Sequence, residues 1–119
     1  MNGTDFEKRV SQALSSQGWW SYRIPSRKGQ PFDLIACKNG KCIMYEMKHR
    51  NSKSFSFSDV EPNQIASIQI LRECNVPFYF IIGNDDAAWI MSAARIYDLM
   101  MQGMKSIRYE KEGELWATW

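Results

Sequence analysis

The sequence predicts an α/β domain in which a central mixed β-sheet is flanked by helices, in the order α-β-β-β-α-β-β-α-β. The first observation behind this is a helical spacing of apolar residues near the start of the chain. The second is a pair of apolar runs around Asn39-Gly40, a strong β-hairpin signal. The third is the continuous apolar segment VPFYFII, residues 76–82, typical of a strand buried on both faces. We expect one domain, residues 1–119, because this length is usual for a single domain.

The N-terminal third is predicted to contain a helix and then a strand. Thr4 and Glu7 match a capping box at the helix start, and Gly18 suits the position just past its end. The predicted apolar stripe consists of Phe6, Val10, Ala13 and Leu14. Residues 19–24, WWSYRI, alternate as a strand does, and a loop bounded by prolines follows.

The C-terminal half is predicted to contain two more helices. Pro62 suits the first turn of the second helix, and Ser92 can cap a third that runs to about Met101 and is ended by Gly103. The residues expected on the core side of the second helix are Ile65, Ile68, Leu71 and Cys74. Residues 49–60 are predicted to be irregular, and 106–109 to add an edge strand. The final segment, LWATW, is expected to pack on the body of the protein or on a second subunit.

Composition narrows the class of protein. The sequence has no membrane-length apolar run and no signal-peptide core, so we expect an intracellular, cytoplasmic protein without a membrane partner. His49 is the single histidine, which disfavours a His-based zinc site or a Ser-His-Asp triad. The three cysteines are interpreted as small buried hydrophobes. A cross-strand disulfide between Cys37 and Cys42 is the alternative.

The net charge of +2 is small, but the charges are unevenly distributed. The segments RIPSRKGQ and KHRNSK are basic and contain no acid. They flank the predicted hairpin, and this arrangement favours a polyanion partner such as nucleic acid, although solvated loops are also often basic.

The hairpin itself carries three charges in apolar strands. A two-residue Asn-Gly loop pairs Lys38 with Lys41 and sets Asp33 opposite Glu46, with Lys48 two residues further along the same face. Like charges directly opposed destabilise a strand pair, and a cation between them removes the conflict. Two carboxylates and a lysine suit metal-assisted phosphodiester hydrolysis, with Mg²⁺ as the metal. The alternative, an exposed face with ordinary salt bridges, fits poorly with such apolar strands.

At these residues the sequence resembles the PD-(D/E)XK nuclease superfamily, which has a restriction-endonuclease-like fold. Asp33 matches the first acid of the motif, and Glu46 and Lys48 match its E-X-K element. Within the superfamily the chain is similar to Holliday-junction resolvases of the archaeal Hjc type and of the RecU type of bacteria and phages. The resemblance covers about residues 3–82, through Glu7 in an early helix, GWWSYRIPS, PFDLIA and YEMK. Phe32 separates the proline from the acid, whereas the family has them adjacent.

The resemblance implies a divalent-metal endonuclease that acts on branched DNA as a homodimer, with Mg²⁺ as cofactor and Mn²⁺ as a substitute. The implied metal ligands are Asp33, Glu46, the backbone carbonyl of Met47, and Glu7 as a ligand or as a residue that orients one. Lys48 would be the catalytic lysine, and Gln64 matches a glutamine often found near such sites, although it could be only an exposed first-turn residue. The predicted DNA contacts are Arg23, Ser26, Arg27, Lys28, His49, Arg50 and Lys53.

Two other functions stay open at this point. One is a restriction- or repair-type nuclease on the same fold, and the other is a DNA-binding module without catalysis. Trp19 and Trp20 are expected in the core or in a dimer interface rather than as base-stacking residues.

Overall fold

The computed structural model describes residues 1–25 and 29–119, and it confirms the predicted α/β fold with a central mixed sheet flanked by helices. The helices are α1 (Gly3–Ser16), α2 (Pro62–Glu73), α3 (Ala93–Met101) and α4 (Tyr109–Glu112). The strands are β1 (Trp20–Arg23), β2 (Leu34–Lys38), β3 (Lys41–His49), β4 (Ser54–Ser56), β5 (Phe78–Gly83), β6 (Ala87–Ser92), β7 (Ser106–Arg108) and β8 (Glu114–Thr118).

The main sheet has six strands in the order β1-β2-β3-β5-β6-β8. Strands β3 and β5 run parallel, and the other neighbouring pairs are antiparallel. As predicted, β5 lies inside the sheet and is buried along most of its length. The edge strand predicted at residues 106–109 is present as β7, but it pairs with β4 in a separate two-stranded sheet instead of joining the main sheet. The segment expected to be irregular supplies that partner strand.

Helix α1 begins two residues earlier than the predicted capping box at Thr4 implied. Asn2 is the N-cap, and it exchanges hydrogen bonds with Asp5 in a capping box. The predicted capping box of Thr4 and Glu7 is therefore wrong, and Glu7 is left free of any capping role. The helix ends as predicted, because Gly18 takes a φ of +86° just past the C-cap.

The β2–β3 hairpin has the predicted register. Asn39 and Gly40 have φ values of +52° and +78°, as a type I′ turn requires, and Lys38 pairs with Lys41. Cys37 and Cys42 pair opposite each other and form a disulfide. The preferred interpretation of the cysteines as buried hydrophobes was wrong, because Cys37 is half-buried, Cys42 is exposed, and Cys74 is an exposed free thiol at the end of α2.

Two apolar cores lie on opposite faces of the main sheet. Helix α1 covers one through Phe6, Val10 and Leu14, while α2 and α3 cover the other. The last residues pack on the body of the protein, since β8 pairs with β6 and Trp119 contacts Phe6 edge to face. The position of Trp20 was predicted wrongly as regards the core, because its side chain is exposed. Within the described part of the chain, no helix has the length and apolar character needed to cross a membrane.

Candidate active site

Asp33 lies just before β2, and it bonds to β3 through both its backbone and its side chain. Its backbone N–H donates to the carbonyl of Tyr45 at 2.9 Å, and its Oδ2 accepts a 2.8 Å hydrogen bond from the backbone N–H of Met47. Its Oδ1 accepts a 2.7 Å bond from the Gln30 side chain. Regular strand pairing ends at Leu34, so Asp33 bonds to the residues on either side of Glu46. These bonds hold the two carboxylates beside each other, as the hairpin register predicted.

Glu46 is a buried carboxylate, with only 2% of its surface exposed. Its Oε2 accepts bonds from Gln64 Nε2 at 2.6 Å and from Lys48 Nζ at 3.1 Å. Its Oε1 is buried and has no hydrogen-bond partner among residues 1–25 and 29–119. Burial and the nearby charge of Asp33 raise the pKa of Glu46 to about 8, even though Lys48 opposes the shift. The raised pKa shows that Lys48 alone does not offset the burial of Glu46 and the charge of Asp33, so the site favours a further positive charge.

Lys48 is held on the same face of β3 as Glu46. Besides its ion pair with Glu46, its Nζ donates to the backbone carbonyl of Asp59 at 3.1 Å and to Gln64 Oε1 at 3.4 Å. The ammonium group is therefore fixed between β3, α2 and the turn before α2. A fixed, half-buried ammonium group suits a role in orienting or stabilising an anion.

Gln64 connects α2 to both Glu46 and Lys48. It is buried, with 6% of its surface exposed, and its Oε1 also accepts a 3.1 Å bond from the backbone N–H of Glu61. The alternative of an exposed first-turn residue was therefore wrong. The helix start fixes one end of the amide, and the amide in turn fixes Glu46 and Lys48.

Glu7 reaches the same depression from α1. The depression is lined by Glu7, Asp33, Glu46 and Lys48 together with neighbouring residues of α1 and β3. Burial raises the pKa of Glu7, the charge of Asp33 raises it further, and Arg23 lowers it. Across residues 1–25 and 29–119, no three His, Cys, Asp or Glu side chains are grouped so as to hold a metal ion. The carboxylates of Asp33 and Glu46 are near enough to each other for the charge of Asp33 to raise the pKa of Glu46.

The part of the chain that carries this site matches a known protein family. The family model "Archaeal holliday junction resolvase (hjc)" matches residues 1–75, which include Glu7, Asp33, Glu46 and Lys48. The chain belongs to this family. It is accordingly a junction-resolving endonuclease, as the early resemblance indicated.

Solved structures show the same fold. The chain matches Hjc of Archaeoglobus fulgidus, described as a Holliday junction resolvase from an archaeal hyperthermophile, with a TM-score of 0.70 and 16% sequence identity. The match covers 95% of each chain, and it therefore extends over the C-terminal strands that the family model does not reach. None of the curated protein sequences compared with this chain matches it.

Of the predicted DNA contacts, some are already in ion pairs within the chain and others are exposed. His49 is bound to Asp85 at 2.9 Å, and Arg50 is bound to Asp59 at 2.9 Å. Arg23 is exposed at the end of β1, and Lys53 is exposed in the loop after β3. Ser26, Arg27 and Lys28 lie outside the described residues. Arg23 and Lys53 are therefore the better placed of the four described contacts to meet a phosphate.

Asp59 also belongs to this site, although it was not among the predicted site residues. Its carbonyl accepts from Lys48 and its carboxylate binds Arg50, so one residue links the lysine to the basic segment after β3. Asp59 ends a short 3₁₀ helix (Phe57–Asp59) within a segment predicted to be irregular. Its place three residues before Pro62 was the only available signal, and it does not predict a contact with Lys48.

Proposed function

We propose that this chain hydrolyses phosphodiester bonds of Holliday junctions with Mg²⁺ as its cofactor, and that Mn²⁺ can replace Mg²⁺. The observation that carries the proposal is the buried Glu46, whose carboxylate lies beside Asp33 and Lys48 and whose Oε1 has no hydrogen-bond partner in the part of the chain that the structure describes. Membership of the resolvase family supports the substrate class, since the family is named for Holliday junctions.

The residues present fit a magnesium ion. Mg²⁺ prefers oxygen ligands, and it binds through one or two carboxylates while it keeps waters and contacts substrate phosphate. Asp33 and Glu46 supply two carboxylates. Oε1 of Glu46 is available to a cation, because none of the described residues hydrogen-bonds to it. We propose the backbone carbonyl of Met47 as a further ligand, with Glu7 as a ligand or as a residue that orients one.

The chemistry then divides between the cofactor and the chain. When bound, Mg²⁺ polarises a phosphate and lowers the pKa of a water molecule. Lys48 donates hydrogen bonds to the phosphate oxygens or orients the attacking water, and it stabilises the negative charge that grows in the transition state. Gln64 keeps the Lys48 ammonium group and the Glu46 carboxylate at fixed positions through bonds to both.

We propose that the DNA backbone lies across the basic surface on either side of this site. Arg23, Ser26, Arg27 and Lys28 would contact it on one side, and His49, Arg50 and Lys53 on the other. We also propose that two copies act together, because a two-fold homodimer presents two sites to the symmetric strands of a junction. A DNA substrate implies an intracellular location.

The proposal is tested by cleavage of a labelled four-way junction with and without Mg²⁺. We expect cleavage by the native chain only with Mg²⁺ or Mn²⁺, and none by Glu46→Gln or Lys48→Met, while both variants still bind the junction. Lys111→Met is the control, because Lys111 is an exposed lysine of α4 and is not among the proposed DNA contacts. Cleavage by Lys48→Met at the native rate, or faster cutting of a linear duplex of the same sequence, would contradict the proposal.

A further inference from the structure

Two aromatic side chains on β1 are exposed on the same side of the strand. Trp20 has 62% of its surface exposed and Tyr22 has 52%. Their rings are nearly parallel, with an angle of 11° between the planes and 6.5 Å between the centroids. That centroid separation is close to twice the rise of about 3.4 Å between neighbouring bases in a nucleic-acid strand. The pair therefore matches the spacing of alternate layers in a stack of bases.

The pair lies on the same face of the sheet as the proposed active site. Trp20 pairs with Cys37 and Tyr22 with Ile35, and through β2 these positions align with Cys42 and Met44 of β3. Side chains alternate along a strand, so Met44, Glu46 and Lys48 share one face of β3. With strands about 4.8 Å apart, the pair lies about 10 Å from β3 across the sheet. Glu46 lies two residues beyond Met44 along β3, so the pair and this carboxylate are separated by about 12 to 17 Å, a span of a few nucleotides.

The charge around the pair favours DNA over a second copy of this chain as its partner. Strand β1, which carries the pair, and its neighbour β2 contain the cations Arg23 and Lys38 and no acid. Strand β3 begins with a further cation, Lys41, which pairs with Lys38. A second copy would bring the same positive charge to the contact and be repelled, whereas a phosphate backbone is attracted.

We propose that Trp20 and Tyr22 form a stacking platform for unpaired bases of the DNA substrate, next to the branch at which the strand is cut. Paired bases within a duplex have both faces covered by their neighbours, so only a base freed at a branch, gap or end can stack on the rings. The platform gives the protein a means of selecting DNA that contains unpaired bases. This inference rests on the proposed function for its substrate class, but it concerns binding and needs no cleavage.

The test measures binding in the absence of divalent metal, so that no DNA is cut. Two labelled probes are compared: a branched DNA with three unpaired thymidines at the branch, and a fully paired linear duplex of equal length. We expect Trp20→Ala to weaken binding of the branched probe by about 5- to 150-fold, the usual effect of removing one base–aromatic stack. Binding of the duplex should stay within about twofold.

Further variants separate base stacking from a general loss of DNA affinity. Trp20→Phe keeps a ring and should retain most of the affinity, and Leu115→Ala should bind both probes like the native chain, because Leu115 is equally exposed but lies on the opposite edge strand, β8. A 2-aminopurine at the unpaired position should be quenched by the native chain and not by Trp20→Ala. Equal losses on both probes, or no loss on either, would overturn the proposal. So would a change of oligomeric state in Trp20→Ala, which would assign the pair to a contact between two copies.

The outcome is independent of the catalytic assignment. The binding assay contains no divalent metal and uses no variant of the proposed active site, so a failure of that site appears in the cleavage assay alone. A failure of the platform appears as unchanged binding by Trp20→Ala while cleavage by the native chain persists.

Discussion

Gln64 donates a 2.6 Å hydrogen bond from Nε2 to Oε2 of Glu46, and this bond joins helix α2 to strand β3 inside the site. The other end of the amide accepts from the helix-start N–H of Glu61 and from Lys48. Because an amide has one donating and one accepting end, these contacts fix its orientation. Gln64 is thus placed to fix the Glu46 carboxylate and the Lys48 ammonium group relative to each other.

Replacing Gln64 with leucine should lower the cleavage rate with little effect on DNA affinity. The leucine fills the space but supplies neither bond, so Glu46 and Lys48 lose their shared support. Loss of such support for a metal ligand typically costs about 10- to 100-fold in activity. Single-turnover cleavage of a four-way junction and a separate binding titration measure the two quantities. Gln69→Leu is the control, because Gln69 lies on the same helix but is exposed and bonded to Tyr97. Equal rates for the two variants would contradict the positioning role.

The stability of the metal-free protein should decrease as the pH rises from about 5 to 8. The pKa of Glu46 is raised to about 8 in the folded state by burial, from 4.5 in the unfolded chain, so over this range the folded state holds a proton that the unfolded state has released. Stability then falls with rising pH, by up to about 1.4 kcal/mol per pH unit. Denaturant unfolding in EDTA at several pH values measures this slope.

Glu46→Gln is the matched variant for that measurement, because glutamine has nearly the same shape and does not titrate. Its stability should be flat over the same pH range apart from contributions shared with the native chain. Saturating Mg²⁺ should also reduce the slope in the native chain, since a cation favours the ionised carboxylate. An identical slope in Glu46→Gln would show that another group causes it.

The centre of the site was predictable from the sequence because it depends on local rules. Asn39-Gly40 fixed the hairpin register, and strand alternation then placed Glu46 and Lys48 on one face. The support around them depends on tertiary contacts: Asp59 approaches Lys48 from a turn, and β4 finds its partner β7 about fifty residues later. Strand β4 has only three residues, too few for its alternation to be recognised. The cap of α1 was misassigned because both Asn2 and Thr4 suit an N-cap.

Arg23 and Arg50 should respond differently to the loss of their charge. Arg23 is exposed on β1, and Arg23→Gln should weaken junction binding and reduce the slope of log K against log salt by about one, as expected for one lost phosphate contact. Arg50 is bound to Asp59, and its guanidinium group lies 5.4 Å from the centre of the Phe55 ring. Arg50→Gln should lower the free energy of unfolding by about 1 kcal/mol. Salt titrations and denaturant unfolding of both variants check the contrast, and an unchanged salt slope in Arg23→Gln would remove it from the DNA contacts.

Gly83 should tolerate no side chain, because it is the last residue of β5 and packs directly against β6 and α1. An added Cβ would overlap the carbonyl oxygen of Ala87, and it would lie 2.7 Å from a ring carbon of Phe6 and 2.9 Å from the Cα of Ala88. Two of these three atoms belong to the backbone and cannot move aside without shifting β6. We expect Gly83→Ala to lower the free energy of unfolding by about 1–3 kcal/mol, the usual cost of overpacking, as measured by denaturant unfolding.

The same substitution should also reduce cleavage, because Gly83 pairs with His49 and its carbonyl accepts a 2.8 Å bond from the N–H of Arg50, two residues after Lys48. Gly3→Ala is the control, since a Cβ at Gly3 meets no atom within 4 Å, and its stability should stay within about 0.5 kcal/mol of the native chain. If Gly83→Ala were as stable as Gly3→Ala, the close packing of β5 against β6 and α1 would be wrong. Gly83→Ala could instead be destabilised and still cleave DNA at the native rate under conditions where it is folded. That result would show that β3 positions Lys48 without the contact to β5.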